Sequence, residues 1–136
     1  MKNYIEWDNA YSIGILQIDN QHRQLIDLIN QLESICKTDN KNIGNEFIEV
    51  MKQSTEYVLV HFRDEEKLMN SIKYKNLVEH KALHEQFIKK IYEITKCFNN
   101  GNEDVYQHYF RFLKDWLLNH IATHDKLIGI AYHNQK

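Results

Sequence analysis

Five histidines and one glutamate stand where a helical pattern calls for leucine or isoleucine. In the run 61–84, "HFRDEEKLMNSIKYKNLVEHKALH", His61, Glu65, His80 and His84 fall on apolar stripes. His22 and His120 do the same elsewhere in the chain. Imidazole is a donor that suits Fe, Cu, Ni or Zn, and a carboxylate can hold one ion or bridge two. One buried histidine is ordinary, because it can hydrogen-bond a backbone carbonyl. Five of them, with a carboxylate among them, would leave many polar atoms unmet in an apolar interior. A metal centre satisfies them together. The local spacings are weak alone: His80-x3-His84 puts two imidazoles on one helix face, but a chain with eight histidines produces such pairs readily. His61-x3-Glu65 is weaker still. The weight lies in the joint pattern, with one or two inward ligands from each of four segments. Thiolates are missing from the set, which disfavours a Cys-rich zinc site or an iron–sulfur cluster. Five imidazoles are too many for one zinc, and carboxylates able to bridge favour two ions.

Those residues must be positioned by helices. Ile18, His22, Leu25, Ile29, Leu32 and Cys36 recur at spacings of three and four, as do Phe47, Val50, Ser54, Val58, His61, Glu65 and Leu68. Leu77, His80, His84, Phe87, Ile91, Ile94 and Phe98 form a third stripe. Tyr106, Phe110, Leu113, Leu117, His120 and His124 form a fourth. The breaks are "KTDNKN", "NSIKY" and "NNGNED". Asp19 is a candidate N-cap for the first helix and Asn102 for the last, with Glu103 and Asp104 favourable in its first turn, and Gly129 is expected to close it. The spacing predicts an N-terminal arm over about 1–18 and helices over about 19–37, 43–70, 75–98 and 103–128. Short connections make sequential helices antiparallel neighbours, so the expected fold is all-α, an up-down-up-down antiparallel four-helix bundle with an arm, in one domain over 1–136.

The totals agree with this and exclude other classes. The chain has 136 residues, 43% of them apolar, which suits one core. It contains no proline, so nothing interrupts long helices. A net charge of −2 gives no basic stripe for nucleic acid or an anionic membrane. No apolar run approaches the roughly 18 residues of a membrane span, and the N-terminus has no apolar signal core, so a soluble cytoplasmic protein is expected. Cys36 and Cys97 have no metal-knuckle spacing and are expected to be small buried residues in a reducing compartment.

The order and spacing resemble the hemerythrin family, in particular its bacterial single-domain members, whose pattern is H…HxxxE…HxxxH…HxxxxD. Here it reads His22, then "HFRDE" from His61 to Glu65, then "HKALH" from His80 to His84, then "HIATHD" from His120 to Asp125, after the arm "YSIGILQIDNQH". The resemblance covers nearly the whole chain. It implies two Fe ions, cycling between Fe2+ and Fe3+, with an oxo or hydroxo bridge. His80, His84 and His120 would hold one ion, His22 and His61 the other, and Glu65 and Asp125 both. Of about twelve positions on two six-coordinate irons, one then stays open, on the ion with two histidines, where O2 could enter. By position, Phe62, Met69, Trp116, Leu117 and Ile121 correspond to the family's apolar pocket wall.

One feature strains against helical geometry. On an ideal helix the i,i+5 pair His120 and Asp125 lies about 140° apart. Periodicity alone selects His124 instead. A π-bulge, a distortion that favours functional sites, would bring Asp125 in and leave His124 beside the ligands or on the helix surface. His108 and His133 are expected to be solvated.

The function the resemblance implies is reversible O2 binding for storage, delivery or sensing, by a monomer able to dock on an O2-consuming enzyme, with no enzymatic turnover of its own. At this length no appended signalling domain is expected. The alternative is a related di-iron protein acting on peroxide or NO, or handling iron. Ferritin-like di-iron oxidases use paired Glu-x-x-His motifs, and none occurs in this sequence.

Overall fold

The structure is a computed structural model, and it describes residues 5–37, 43–96 and 104–135. After a 3-10 turn at Asn9–Tyr11 come α1 (Leu16–Lys37), α2 (Ile43–Ser71), α3 (Leu77–Lys96) and α4 (Asp104–His120). A π-helical turn, Ile121–Asp125, joins α4 to α5 (Lys126–His133) without a break in the rod. No strand occurs among the described residues, and none of their helices is long and apolar enough to cross a membrane.

Side-chain contacts give the directions. Gln21 near the start of α1 bonds Asp64 near the end of α2. Glu65 meets His80 at the start of α3, and His80 meets His120 at the end of α4. His22 then closes the ring on Asp125. Each neighbouring pair runs antiparallel, which is the expected bundle. The interior divides along its length. Leu25, Ile29, Leu32, Phe47, Val58, Phe87, Ile91, Tyr109, Leu113 and Leu117 are buried in one apolar cluster. The buried histidines, with Glu65 and Asp125, occupy the end where the arm crosses.

The arm explains two departures from the sequence reading. Asp19 is not the N-cap, because α1 already begins at Leu16, just after Gly14 at φ +79. Its carboxylate instead accepts from Ile13 N at 2.7 Å and Ser12 Oγ at 2.7 Å, so it ties the arm down. Nor does Gly129 end a helix. It is buried in the middle of α5, which runs on to His133, and an added Cβ there would lie 2.3 Å from the Ile13 carbonyl oxygen. Glycine is needed here for closeness, not for a turn. The break at "NSIKY" stands as expected, with Lys73 at φ 52 between α2 and α3. Asn102, Glu103, Phe98 and Cys97 lie outside the described residues. Cys36 is half-buried, and burial, then Glu33, pushes its thiol pKa to about 11, well away from thiolate chemistry.

One polar knot sits inside the apolar half. The fully buried Tyr109 hydroxyl lies 2.9 Å from Ser54 Oγ and 3.0 Å from Thr55 Oγ1, and donates to the Met51 carbonyl at 3.3 Å. Ser54 Oγ also reaches Met51 O at 2.9 Å. Tyr109→Phe leaves Ser54 paired with that carbonyl and opens no cavity. Its expected cost is therefore that of a net hydrogen bond, about 1 kcal/mol. Urea unfolding checks this as a lower midpoint at unchanged slope.

Candidate metal centre

Helices α1 to α4 and the π turn contribute to the centre from the end nearest the arm. His22 comes from α1, His61 and Glu65 from α2, His80 and His84 from α3, His120 from the last residue of α4, and Asp125 from the last residue of the π turn. All seven side chains are buried, and Glu65 and Asp125 have no exposed surface. The donor atoms fall into two sets, Glu65–His80–His84–His120–Asp125 and His22–His61–Glu65–Asp125, each within 4.8 Å of one another.

The carboxylates straddle the two sets. Glu65 Oε1 lies 2.7 Å from His80 Nε2, 3.1 Å from His84 Nε2 and 3.8 Å from His120 Nε2, while its Oε2 faces His61 Nε2 at 3.3 Å. Asp125 divides likewise. Its Oδ1 faces His80 at 3.2 Å and His120 at 3.1 Å, and its Oδ2 faces His22 at 3.0 Å and His61 at 3.6 Å. One oxygen of each acid therefore serves each set.

The π turn makes this possible. It closes i→i+5 hydrogen bonds, so Asp125 comes over the face of His120. His124 is displaced to a partly exposed position, its ring 5.4 Å from that of His120 and 6.4 Å from that of His80. Its pKa is lowered by burial and by those two histidines. His108 is exposed, and the exposed His133 bonds the Gly14 carbonyl at 3.1 Å.

Whether this donor set fits a metal is answered by the alignment of its atoms. His61 Nε2, Glu65 Oε2 and Asp125 Oδ1 are buried, close to oppositely charged neighbours, and yet form no hydrogen bond. Buried groups rarely forgo a bond when a partner is this near. His80 Nε2 and His120 Nε2 point at one another across 3.1 Å, although two imidazole nitrogens can share only one proton. Ligand atoms at right angles round an ion, with bonds of about 2.1 Å, lie about 3.0 Å apart. The atoms aim at common points, and the residues fit a metal.

Electrostatics agree. Burial opposes charge on His61, but Glu65 and Asp125 outweigh it and push its pKa up to about 10. His80 rises to about 9 for the same reasons, and His120 rises too. Burial raises both acids, and repulsion from Asp125 raises Glu65 further, but His61 and His120 acting on Glu65, and His120, His22 and His61 acting on Asp125, hold both well below the usual carboxylate range. The site is built to keep two buried carboxylates ionised against a positive charge.

Outside the donors, the imidazoles are held by their other nitrogen. His22 Nδ1 donates to the Tyr11 carbonyl at 2.9 Å and His61 Nδ1 to Gln21 Oε1 at 2.7 Å. Gln21 Nε2 donates onward to Asp64 at 2.8 Å. His84 Nδ1 meets Glu66 Oε2 at 2.9 Å. These supports fix ring orientation and free Nε2 for the interior. Sequence periodicity missed Gln21, Asp64 and Glu66, because each sits one residue beside a ligand and looks like solvated surface. Apolar rings pack on two of the donors. Phe62 stacks on His84 at 3.8 Å and Trp116 on His120 at 4.4 Å, both against the three-histidine set. Met69, Leu117 and Ile121 are fully buried.

The family model described as the Hemerythrin HHE cation binding domain matches residues 14–129. The chain belongs to the hemerythrin family. Among curated hemerythrins, a bacteriohemerythrin of Methylococcus capsulatus is 35% identical over 112 residues, covering 82% of each chain. Myohemerythrin-1 of Phascolopsis gouldii is 29% identical over 119 residues, covering 88% of this chain and 87% of that one. The solved structure of a wild-type hemerythrin superposes with a TM-score of 0.78 at 32% identity, covering 94% of this chain and 97% of that one. As a hemerythrin, this chain carries a His/Glu/Asp metal site in the bundle's arm-side half.

Proposed function

We propose that the chain binds O2 reversibly at two iron ions. His80, His84 and His120 hold one, His22 and His61 the other, and Glu65 and Asp125 join them. The observation that carries this reading is the straddling of both carboxylates, each offering one oxygen to each set. A single-ion site has no use for it. When bound, a pair of ferrous ions supplies a reversible two-electron couple for O2. The His22–His61 set has one histidine fewer, so an ion held there would keep a position for a small ligand.

The chain's own residues do the rest. Glu65 and Asp125 keep two cations together and cancel part of their charge. With metal bound the imidazoles would be neutral donors, and those of His22, His61 and His84 are oriented through Nδ1. Phe62, which stacks on His84, and the fully buried Met69, Leu117 and Ile121 would keep out water and therefore protons and hydrophilic reductants. Buried apolar walls favour binding and release over turnover, which makes this a carrier or store rather than an enzyme.

The test is optical. Metal-free protein is loaded anaerobically with Fe2+, exposed to O2, then purged with inert gas. A visible charge-transfer band that forms with O2 and fades on purging, at two irons per chain, is the expected result. A band that decays irreversibly to a ferric spectrum with peroxide released would replace this reading with an oxidase or peroxidase. Iron uptake below two per chain would overturn the paired site.

A further inference from the structure

Three consecutive acids, Asp64, Glu65 and Glu66, grip the centre differently. Glu65 is inside it. Asp64 reaches His61 only through the neutral amide of Gln21. Glu66 touches His84 directly, its Oε2 2.9 Å from Nδ1. His22 leans instead on a backbone carbonyl and His61 on an amide oxygen. A carboxylate accepting from one imidazole nitrogen makes the opposite nitrogen more basic, and partners of this kind are worth 10–100-fold in metal affinity. Glu66 is only partly exposed, and its other oxygen lies 4.0 Å from Lys81 Nζ.

We propose that Glu66 is a positioning residue for the metal pair: it makes His84 the strongest donor of the three-histidine set and lowers the reduction potential of the ion held there, so that the two halves of the centre are electronically unequal. This rests on the metal centre described above, which the same experiment checks separately. Asp64 is the built-in comparison, since it has the same charge, comes from the same turn of α2 and is buffered from its histidine by an amide.

The variants are E66Q and D64N. Glutamine keeps an acceptor at the same reach and removes only the charge, so the ring stays in place. Zn2+ affinity is measured by chelator competition, the iron-pair potential by redox titration, and melting of the metal-free protein alongside. E66Q is expected to bind Zn2+ 10–100-fold more weakly in one site, with a more positive potential and an unchanged metal-free melting temperature. D64N is expected to show a smaller fall. E66Q matching a wild type that binds two ions would overturn the proposal alone. Equal losses in E66Q and D64N would reduce it to a general effect of local charge. A lowered metal-free melting temperature with affinity and potential unchanged would assign Glu66 to helix packing. A wild type that binds neither Zn2+ nor Fe2+ would overturn the centre and this proposal with it.

Discussion

Asp125→Asn is expected to cut metal uptake from two ions per chain to one or none while leaving the helical bundle folded. The substitution is nearly isosteric, so no cavity opens. What changes is the donor count. Asp125 presents Oδ1 to His80 and His120, and Oδ2 to His22 and His61. An amide replaces one of those oxygens with an NH2 group, which donates hydrogen bonds and has no lone pair to offer an ion. In the proposed two-ion centre one set must therefore lose a ligand outright, and the charge that would balance two cations falls by one. Loss of a ligand should exceed the 10–100-fold cost of losing a supporting partner. A site filled at 100 times its dissociation constant stabilises the fold by about 2.7 kcal/mol. For a chain of this size that corresponds to a melting shift on the order of 10 °C. The measurement is a thermal melt with and without Zn2+, together with metal analysis after gel filtration. Two ions retained per chain, with the wild-type melting increment, would remove Asp125 from the set.

This residue also marks the limit of what periodicity can read. Counting at 100° per residue finds every inward histidine and Glu65, because each belongs to an unbroken α-helix. It selects His124 over Asp125, because nothing in "HIATHD" announces an extra residue in the turn. Only the family resemblance pointed the other way, and the π turn at Ile121–Asp125 supplies the physical reason. The bundle and its four stripes were legible for the complementary reason that long proline-free helices repeat their signal many times over. Single-residue signals fared less well. Asp19 has the chemistry of an N-cap, yet the same carboxylate caps the arm instead. Gly129 resembles a helix stop because glycine serves both for unusual backbone angles and for close approach, and sequence alone does not separate the two. Gln21 and Glu66 were silent because their partners are imidazole nitrogens on other helices, about which spacing along one helix carries no information.

Gly129→Ala follows from the second of these. The added methyl would sit 2.3 Å from the carbonyl oxygen of Ile13 and 2.8 Å from its Cβ. The nearest obstacle is backbone, so no side chain can rotate away, and either α5 or the arm must move. Overpacking of this kind typically costs 1–3 kcal/mol, and the arm is held by contacts that share the strain. Ile13 is buried, Lys126 Nζ donates to the carbonyls of Ser12 at 2.8 Å and Asn9 at 3.3 Å, and His133 reaches the carbonyl of Gly14. An upper-end loss, about 3 kcal/mol, is therefore expected in chemical denaturation. The consequence extends to the centre, because the Tyr11 carbonyl in the same arm accepts from His22 Nδ1. A lifted arm frees that ring to turn. Metal loss should then be selective: the His22–His61 set weakens, while the set on His80, His84 and His120, where Glu66 of α2 supports His84, keeps its ion. Titration of the variant with Zn2+ should resolve one unchanged and one weakened step. Two steps weakened equally would mean that the arm supports the bundle as a whole and has no particular hold on His22.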